Sequence, residues 1–276
     1  MNRRKLHGLA ATAVVALCAI APATASATHN ANTPIHPGVM TFTEGAQCTS
    51  NFMFRDGSGT YIGQAAHCSG TGGATETDGC DAQSLPLGTE VEVGGATQPG
   101  TLVYNSWITM QQNGESNANA CAYNDFALVR IAPADVGRVN PSVPGFGGPT
   151  GVGGSGAQLG QTVYSYGNSS LRLGITKLSP KQGAVIQSVG NGWSRTVLTV
   201  TPGIPGDSGS AFMNGSGQAI GTLSTLQVLP LPGTNGVGDL ANELSYMRAN
   251  SSLSNVQLVP GTQAFSPNWV GAILNS

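Results

Sequence analysis

The stretch Gly206-Asp207-Ser208-Gly209-Ser210 sets a serine between glycines, a turn in which backbone amides can come close to a ligand. A serine hydroxyl attacks a carbonyl when a base takes its proton, a third group orients that base, and donors meet the developing oxyanion. The chain has four histidines, His7, His29, His36 and His67, and the first three precede the patterned part of the sequence. His67 is therefore the candidate base. It ends the run Ala65-Ala66-His67-Cys68, where a disulfide beside the ring would hold it rigidly. The orienting acid has to be buried to fix the imidazole tautomer. Asp125 leads into the apolar run Phe126-Ala127-Leu128-Val129, whereas Asp56, Asp78 and Asp81 sit in turn-like surroundings and Asp135 in a Pro-containing loop. Each of the three also has a structural reading: a histidine beside a bridge, a strand-capping aspartate, a glycine turn. Their order, His67 then Asp125 then Ser208, is that of one of the convergent triad designs.

Composition decides what kind of scaffold carries these groups. Charged residues are 9% of 276 and glycines number 40, which points to short strands and many turns, while 39% hydrophobic content argues against disorder. Arg3-Arg4-Lys5, an apolar run over 9–20 and Ala25-Ser26-Ala27 read as an export signal over 1–27, too short to span a membrane. Without its three basic residues the chain keeps eight Lys and Arg against 13 acidic residues, a charge of about −5, which excludes nucleic acid and anionic membranes as natural partners. The leader also takes Cys18 and leaves Cys48, Cys68, Cys80 and Cys121, an even number that implies two disulfides in an exported protein. Cys48–Cys68 with Cys80–Cys121 is the preferred pairing; the other two remain open. With the cysteines bridged and His67 isolated, no cofactor or metal site is expected.

Residues 28–37 lack periodicity and read as a flexible extension. Asp56-Gly57-Ser58 separates β-favouring runs over 48–55 and 59–64, a hairpin signal. Further strands are expected over 89–93, 101–110, 126–131, 161–166, 171–178, 184–189, 196–200, 210–213 and 219–224, the spacing of a meander or Greek-key barrel. The Gly- and Pro-rich 141–160 reads as a linker between two halves. One helix is expected from Asp239 to about residue 250, with Leu240, Leu244 and Met247 as its apolar stripe. In the tail 251–276, residues 256–259 are a further candidate strand.

Ala65-Ala66-His67-Cys68, Asp125-Phe126-Ala127-Leu128 and Gly206-Asp207-Ser208-Gly209, with the closing helix, resemble the secreted bacterial chymotrypsin-like serine proteases over about residues 38–250. The resemblance implies an all-β fold of two six-stranded antiparallel barrels, 38–140 and 161–250, with a C-terminal helix and the site between them. It implies His67 as general base, Asp125 as its orienter, Ser208 as nucleophile, and the backbone N–H groups of Gly206 and Ser208 as oxyanion hole. Ser224, Thr225 and Leu226 correspond to the strand that pairs with an extended peptide substrate. A polypeptide substrate and a monomeric enzyme follow.

The chain departs from that family at several points. Pro202 stands where trypsin-type members carry an aspartate, so preference for Arg or Lys is not expected, and Leu226 replaces a small glycine at the pocket entrance. An uncharged, small side chain is the expected preference. No Ile-Val-Gly-Gly N-terminus is present to pair with Asp207, and Arg138 is the substitute partner expected here. Gln64 takes the place of a usual Thr or Ser. Pro202, Ile204, Pro205 and Leu226 together motivate the alternative, a weak or inactive homologue that binds peptide or protein in the cleft.

Overall fold

The computed structural model describes residues 33–73, 76–156, 158–227 and 231–276. The leader, with His7 and Cys18, and the first part of the expected extension, with His29, lie outside the described residues. Strands β1 (Met40–Thr43), β2 (Ala46–Thr49), β3 (Met53–Asp56), β4 (Gly59–Gln64), β5 (Glu90–Val93), β6 (Gly100–Asn105) and β7 (Ala127–Arg130) belong to the first half. Burial alternates along β1 and β5, the mark of a sheet with one face in a core and one in water. The second half contains β8 (Thr162–Tyr166), β9 (Pro180–Val189), β10 (Ser194–Val200), β11 (Ala211–Asn214), β12 (Ala219–Gln227) and β13 (Thr234–Asp239). These six close into an antiparallel barrel in the order β10-β13-β12-β11-β8-β9 around Val163, Val185, Val197, Phe212, Leu223 and Val237.

The expected second closed barrel is not formed. The first half is an eight-stranded antiparallel sheet, order β14-β3-β4-β7-β6-β5-β1-β2, where β14 (Gln257–Leu258) comes from the tail. Both edges that would meet are engaged elsewhere. At the end of β2 the Thr49 N–H donates to the Ser208 carbonyl at 2.8 Å, and the free edge of β3 pairs with β14 through Arg55 and Phe54.

Other expectations are corrected by local chemistry. The strand expected over 101–110 stops at Asn105, whose side chain caps helix α1 (Ser106–Asn113) by accepting the Trp107 N–H at 2.9 Å. Helices α2 (Ala118–Tyr123) and α4 (Trp269–Leu274) were also not anticipated. Residues 171–178 form two 3-10 turns instead of a strand, broken by Leu173 at φ 54°, with Leu171, Leu173 and Ile175 exposed. β13 carried no strand signal because two of its six residues are glycines. They are required: a Cβ on Gly236 or Gly238 would lie 2.3 Å from Thr225 Oγ1 or Glu243 Oε1. The hairpin at Asp56, the helix α3 (Leu240–Asn250) capped by Asp239, and the strand near 256–259 are present as expected. Leu240, Leu244 and Met247 of α3 are fully buried.

The stretch 141–160 holds no strand or helix among its described residues, and 140–149 are buried under the tail. The Gln263 carbonyl accepts from Gly148 N–H, the Phe146 carbonyl from Ser266 N–H, and a Cβ on Gly145 would lie 2.7 Å from that of Ala272. Residues 33–37, expected to be flexible, are packed: Ile35 is fully buried in the core of the first sheet and bridges Val139. Truncation there tests the packing. Ile35→Ala should lower the unfolding free energy by about 2–4 kcal/mol, read from denaturant midpoints at constant slope; a change within about 0.5 kcal/mol, the size of a surface substitution, would show the segment to be loosely attached.

Candidate functional site

His67 lies on a single 3-10 turn, Ala66–Ser69, that leaves β4. Ala65 and Ala66 are fully buried, and Cys68 is bridged to Cys48, so the turn is clamped on both sides of the ring. The Asn105 side chain donates to the Ala66 carbonyl at 3.0 Å. Cys80 and Cys121 form the second disulfide, as preferred from the sequence.

Asp125 sits between α2 and β7, and Ser106 at the start of α1 holds the backbone around it. The Ser106 hydroxyl donates to the Asn124 carbonyl at 2.8 Å and accepts the Phe126 N–H at 3.1 Å. The carboxylate is 4% exposed. It accepts the His67 backbone N–H at 2.9 Å on one oxygen; on the other it faces His67 Nδ1 at 2.7 Å and accepts the Ser224 hydroxyl at 2.5 Å. Burial pushes its pKa up, but the nearby imidazole and these hydrogen bonds outweigh burial and hold it below the ordinary carboxylate value. For His67 burial disfavours the charged ring, and the Asp125 charge and hydrogen bond more than reverse this, so its pKa is raised. An ionised carboxylate at Nδ1 fixes the neutral tautomer with its proton there, leaving Nε2 for chemistry.

The turn that carries Ser208, the candidate nucleophile, is pressed against the backbone leading to this histidine. Gly209 has φ 88°, and a Cβ on it would lie 2.5 Å from the Thr49 carbonyl and 2.9 Å from the Ala65 nitrogen, two residues before His67. Its N–H donates to the Leu223 carbonyl at 2.7 Å. His67 and Ser208 line one cavity of about 580 Å³, together with Gly203–Gly206 and Leu223–Leu226. Pro202 does not line it; its carbonyl points away, toward Arg172 and Lys181. His36 is not among the lining residues either.

Among the described residues the N–H groups of Gly206 and Ser208 have no hydrogen-bond acceptor. The preceding carbonyl, Pro205, accepts the Ser169 hydroxyl at 2.5 Å, and in a trans peptide this turns the Gly206 N–H the opposite way. The Gly206 carbonyl is fixed in turn by Thr49 Oγ1 at 2.8 Å and Gln47 Nε2 at 2.9 Å.

Asp207, fully buried, is not paired with Arg138, which bonds Asp135 and the Gly95 carbonyl. Its partners are Arg172, in direct contact, and Lys181 at 3.1 Å, with the Ser169 N–H at 3.1 Å. Burial and then the Arg172 charge lower Lys181 to about 8, against the pull of Asp207. No sequence signal marks Arg172 and Lys181, because their approach to Asp207 is made by tertiary packing. Ser224 was expected as a substrate-strand residue and is also a donor to Asp125.

Glu243 on α3 was missed altogether. It is fully buried behind Asp125, whose backbone N–H bonds it, and the Thr222 hydroxyl donates to it at 3.3 Å. Burial, then the charges of Asp125 and Asp239, push its pKa well above the usual carboxylate range, toward the neutral acid. Two further groupings of ligand-type side chains, Cys48 with His67 and Cys68, and Asp78 with Cys80 and Cys121, are built on bridged sulfurs, which are not thiolates.

Comparison with solved structures finds similar folds. Thermobifida fusca protease A superposes with a TM-score of 0.53 at 21% identity, covering 82% of this chain and 99% of that one. The fold is chymotrypsin-like. A Glu endopeptidase gives a TM-score of 0.51 at 14% identity, over 83% of this chain and 97% of its own. No family model matches the sequence, and no curated relative matches it. In the chymotrypsin-like fold the cleft between the two halves is where His67, Asp125 and Ser224 meet. Glu243 behind them gives a test. Its folded pKa is raised, so it contributes stability that is full below its unfolded value of about 4.3 and is lost as pH rises above it. Glu243→Gln should match the wild type in stability near pH 4 and exceed it increasingly above, by up to about 1.4 kcal/mol per pH unit. Parallel stability curves from pH 4 to 7 would show that the carboxyl is ionised.

Proposed function

We propose that the protein is an exported serine endopeptidase that cuts polypeptides through an acyl-enzyme. The observation that carries this reading is His67, held to a buried, ionised Asp125 through both its backbone N–H and its ring Nδ1, lining the cavity that Ser208 also lines. In the proposed cycle His67 Nε2 takes the Ser208 proton as the hydroxyl oxygen bonds to the scissile carbonyl carbon. The carbonyl π pair moves to oxygen, and that oxyanion is met by the unpartnered N–H groups of Gly206 and Ser208. His67 then hands its proton to the leaving amine, the C–N bond breaks, and water repeats the sequence to release the acid. Asp125 keeps its charge throughout and stabilises the imidazolium.

Beyond Leu223, β12 has β13 on one side and the cavity on the other, so 224–226 offer an open edge to an extended peptide. Two disulfides fit an oxidising compartment, and no described helix is long and apolar enough to cross a membrane.

A fluorophosphonate probe tests the assignment. Folded protein should be labelled at Ser208, and Ser208→Ala should not be labelled; absence of labelling in the folded wild type favours a peptide-binding homologue and sinks the enzyme reading. The pH profile tests the base. Only neutral His67 accepts a proton, so kcat/KM should rise with pH, with a midpoint above about 6.5 because the ring's pKa is raised. Asp125→Asn should lower turnover by about 10⁴-fold and move that midpoint down, since the charge that raised it is gone. An unchanged midpoint in the variant would remove Asp125 from this role.

A further inference from the structure

We propose that Asn235, with Leu223, closes the pocket beside Ser208 and so restricts the enzyme to small, uncharged side chains on the residue whose carbonyl is attacked. This rests on the endopeptidase reading above. The cavity wall next to Ser208 is built from two backbone segments, 203–206 and 223–226, and a substrate side chain carried on an attacked carbonyl at Ser208 has to enter between them. Asn235 also lines this cavity, from β13. Alternation along a strand puts Asn235 on the same face as Val237, which lies in the barrel core with Leu223. Asn235 is therefore at the mouth of the barrel interior, below the cleft.

Its amide ties the two walls together. Oδ1 accepts the Gly203 N–H at 2.8 Å, and Nδ2 donates to the carbonyls of Gly203 at 3.2 Å and Thr225 at 3.3 Å. Asn235 is fully buried, and swinging it out would leave the buried Gly203 N–H without its acceptor, so the side chain stays in place when substrate arrives. Leu223 and Asn235 also press on the Gly203 wall. A Cβ on Gly203 would lie 2.6 Å from Leu223 Cδ1 and 2.8 Å from Asn235 Nδ2.

Charge is excluded by the same construction. Neither wall carries an ionisable side chain, and the cations behind it, Arg172 and Lys181, are already engaged with Asp207 and the Pro202 carbonyl. An Asp or Glu side chain entering between the walls would be desolvated without a cation on either wall, and Arg or Lys would find no carboxylate on them, Glu76 lining the cavity outside both segments. Pro202 and Leu226, the two residues from which the sequence suggested a small pocket, contribute less than Asn235: one lies outside the cavity and the other is 45% exposed at its rim.

The test is a panel of peptide anilides that differ in the residue before the scissile bond: Ala, Leu, Phe, Arg and Glu. For the wild type kcat/KM should be highest with Ala, by about tenfold or more over Phe, Arg and Glu, the discrimination a filled pocket gives. Asn235→Gly, which removes the tie, should raise Phe and Leu relative to Ala by about tenfold, and Asn235→Ser by less. Fluorophosphonate labelling of Ser208 is measured on the same samples. Labelled wild type that cleaves after Phe, Arg or Glu as well as after Ala overturns the closed pocket and leaves the endopeptidase reading standing. Folded wild type without labelling overturns the endopeptidase reading itself. If Asn235→Gly does not fold, the wild-type panel and Asn235→Ser still decide.

Discussion

A carboxylate taken out of water stays ionised only when donors and positive charge replace its hydration, and Asp125 obtains them from both halves of the molecule. His67 supplies a backbone and a ring N–H from the first sheet, while Ser224 supplies a hydroxyl from the barrel. The aspartate is therefore both an orienting group and a joint. Separating the halves would strip one of its three donors and leave a buried charge short of partners, so the cleft geometry is held by the same bonds that fix the imidazole tautomer. The clamp of Ser106 on the flanking backbone is of use for the same reason: the carboxylate has to be presented at one depth to reach donors on two sides.

The second buried anion of the site, Asp207, meets the same demand differently. Arg172 and Lys181 face it where a chain terminus would otherwise be needed, and the segment that carries Arg172 also carries Ser169, whose hydroxyl fixes the Pro205 carbonyl. Charge neutralisation and the direction of the Gly206 N–H thus depend on one turn, Ser170–Arg172 with its cap Ser169. Because both cations are internal to the folded chain, this arrangement needs no cleaved N-terminus to complete it. Glu243 shows the opposite solution. Burial and the charges of Asp125 and Asp239 push its carboxyl toward the protonated form, the direction that spares the site a third anion.

His67, Asp125 and Ser208 could be singled out as candidates because each has a distinctive local sequence, a histidine beside a cysteine, an acid entering an apolar strand, a serine between glycines; the structure brings His67 and Asp125 into contact and sets Ser208 on the same cavity as His67. The disulfide pairing followed from which cysteines flank the hairpin. What was not legible depends on contacts between distant segments. Arg172 and Lys181 are ordinary basic residues until packing brings them to Asp207, and Arg138, expected from its rough position in the chain, is instead held by Asp135. The closed first barrel failed as an expectation because sequence shows strands but not which edges they choose; here Ser208 takes one edge and β14 the other. β13 was invisible since its glycines obey a packing rule, close approach to Thr225 and Glu243, and not a strand propensity.

That glycine rule also explains how so lightly charged a chain packs its candidate site. Gly209 lets the Ser208 turn lie directly on the backbone of Thr49 and Ala65, and Gly203 lets the pocket wall close on Asn235 and Leu223. At Gly209 the positioning is done by main-chain atoms, which have no rotamers to lose, and at Gly203 the main chain closes directly on the Leu223 and Asn235 side chains. A methyl group at Gly209 would push Ser208 away from the turn that bears His67, and one at Gly203 would displace the amide that ties the pocket walls. The high glycine content of this chain is thus, at these two positions, part of how the Ser208 turn, the strand leading to His67 and the cavity wall are packed against one another.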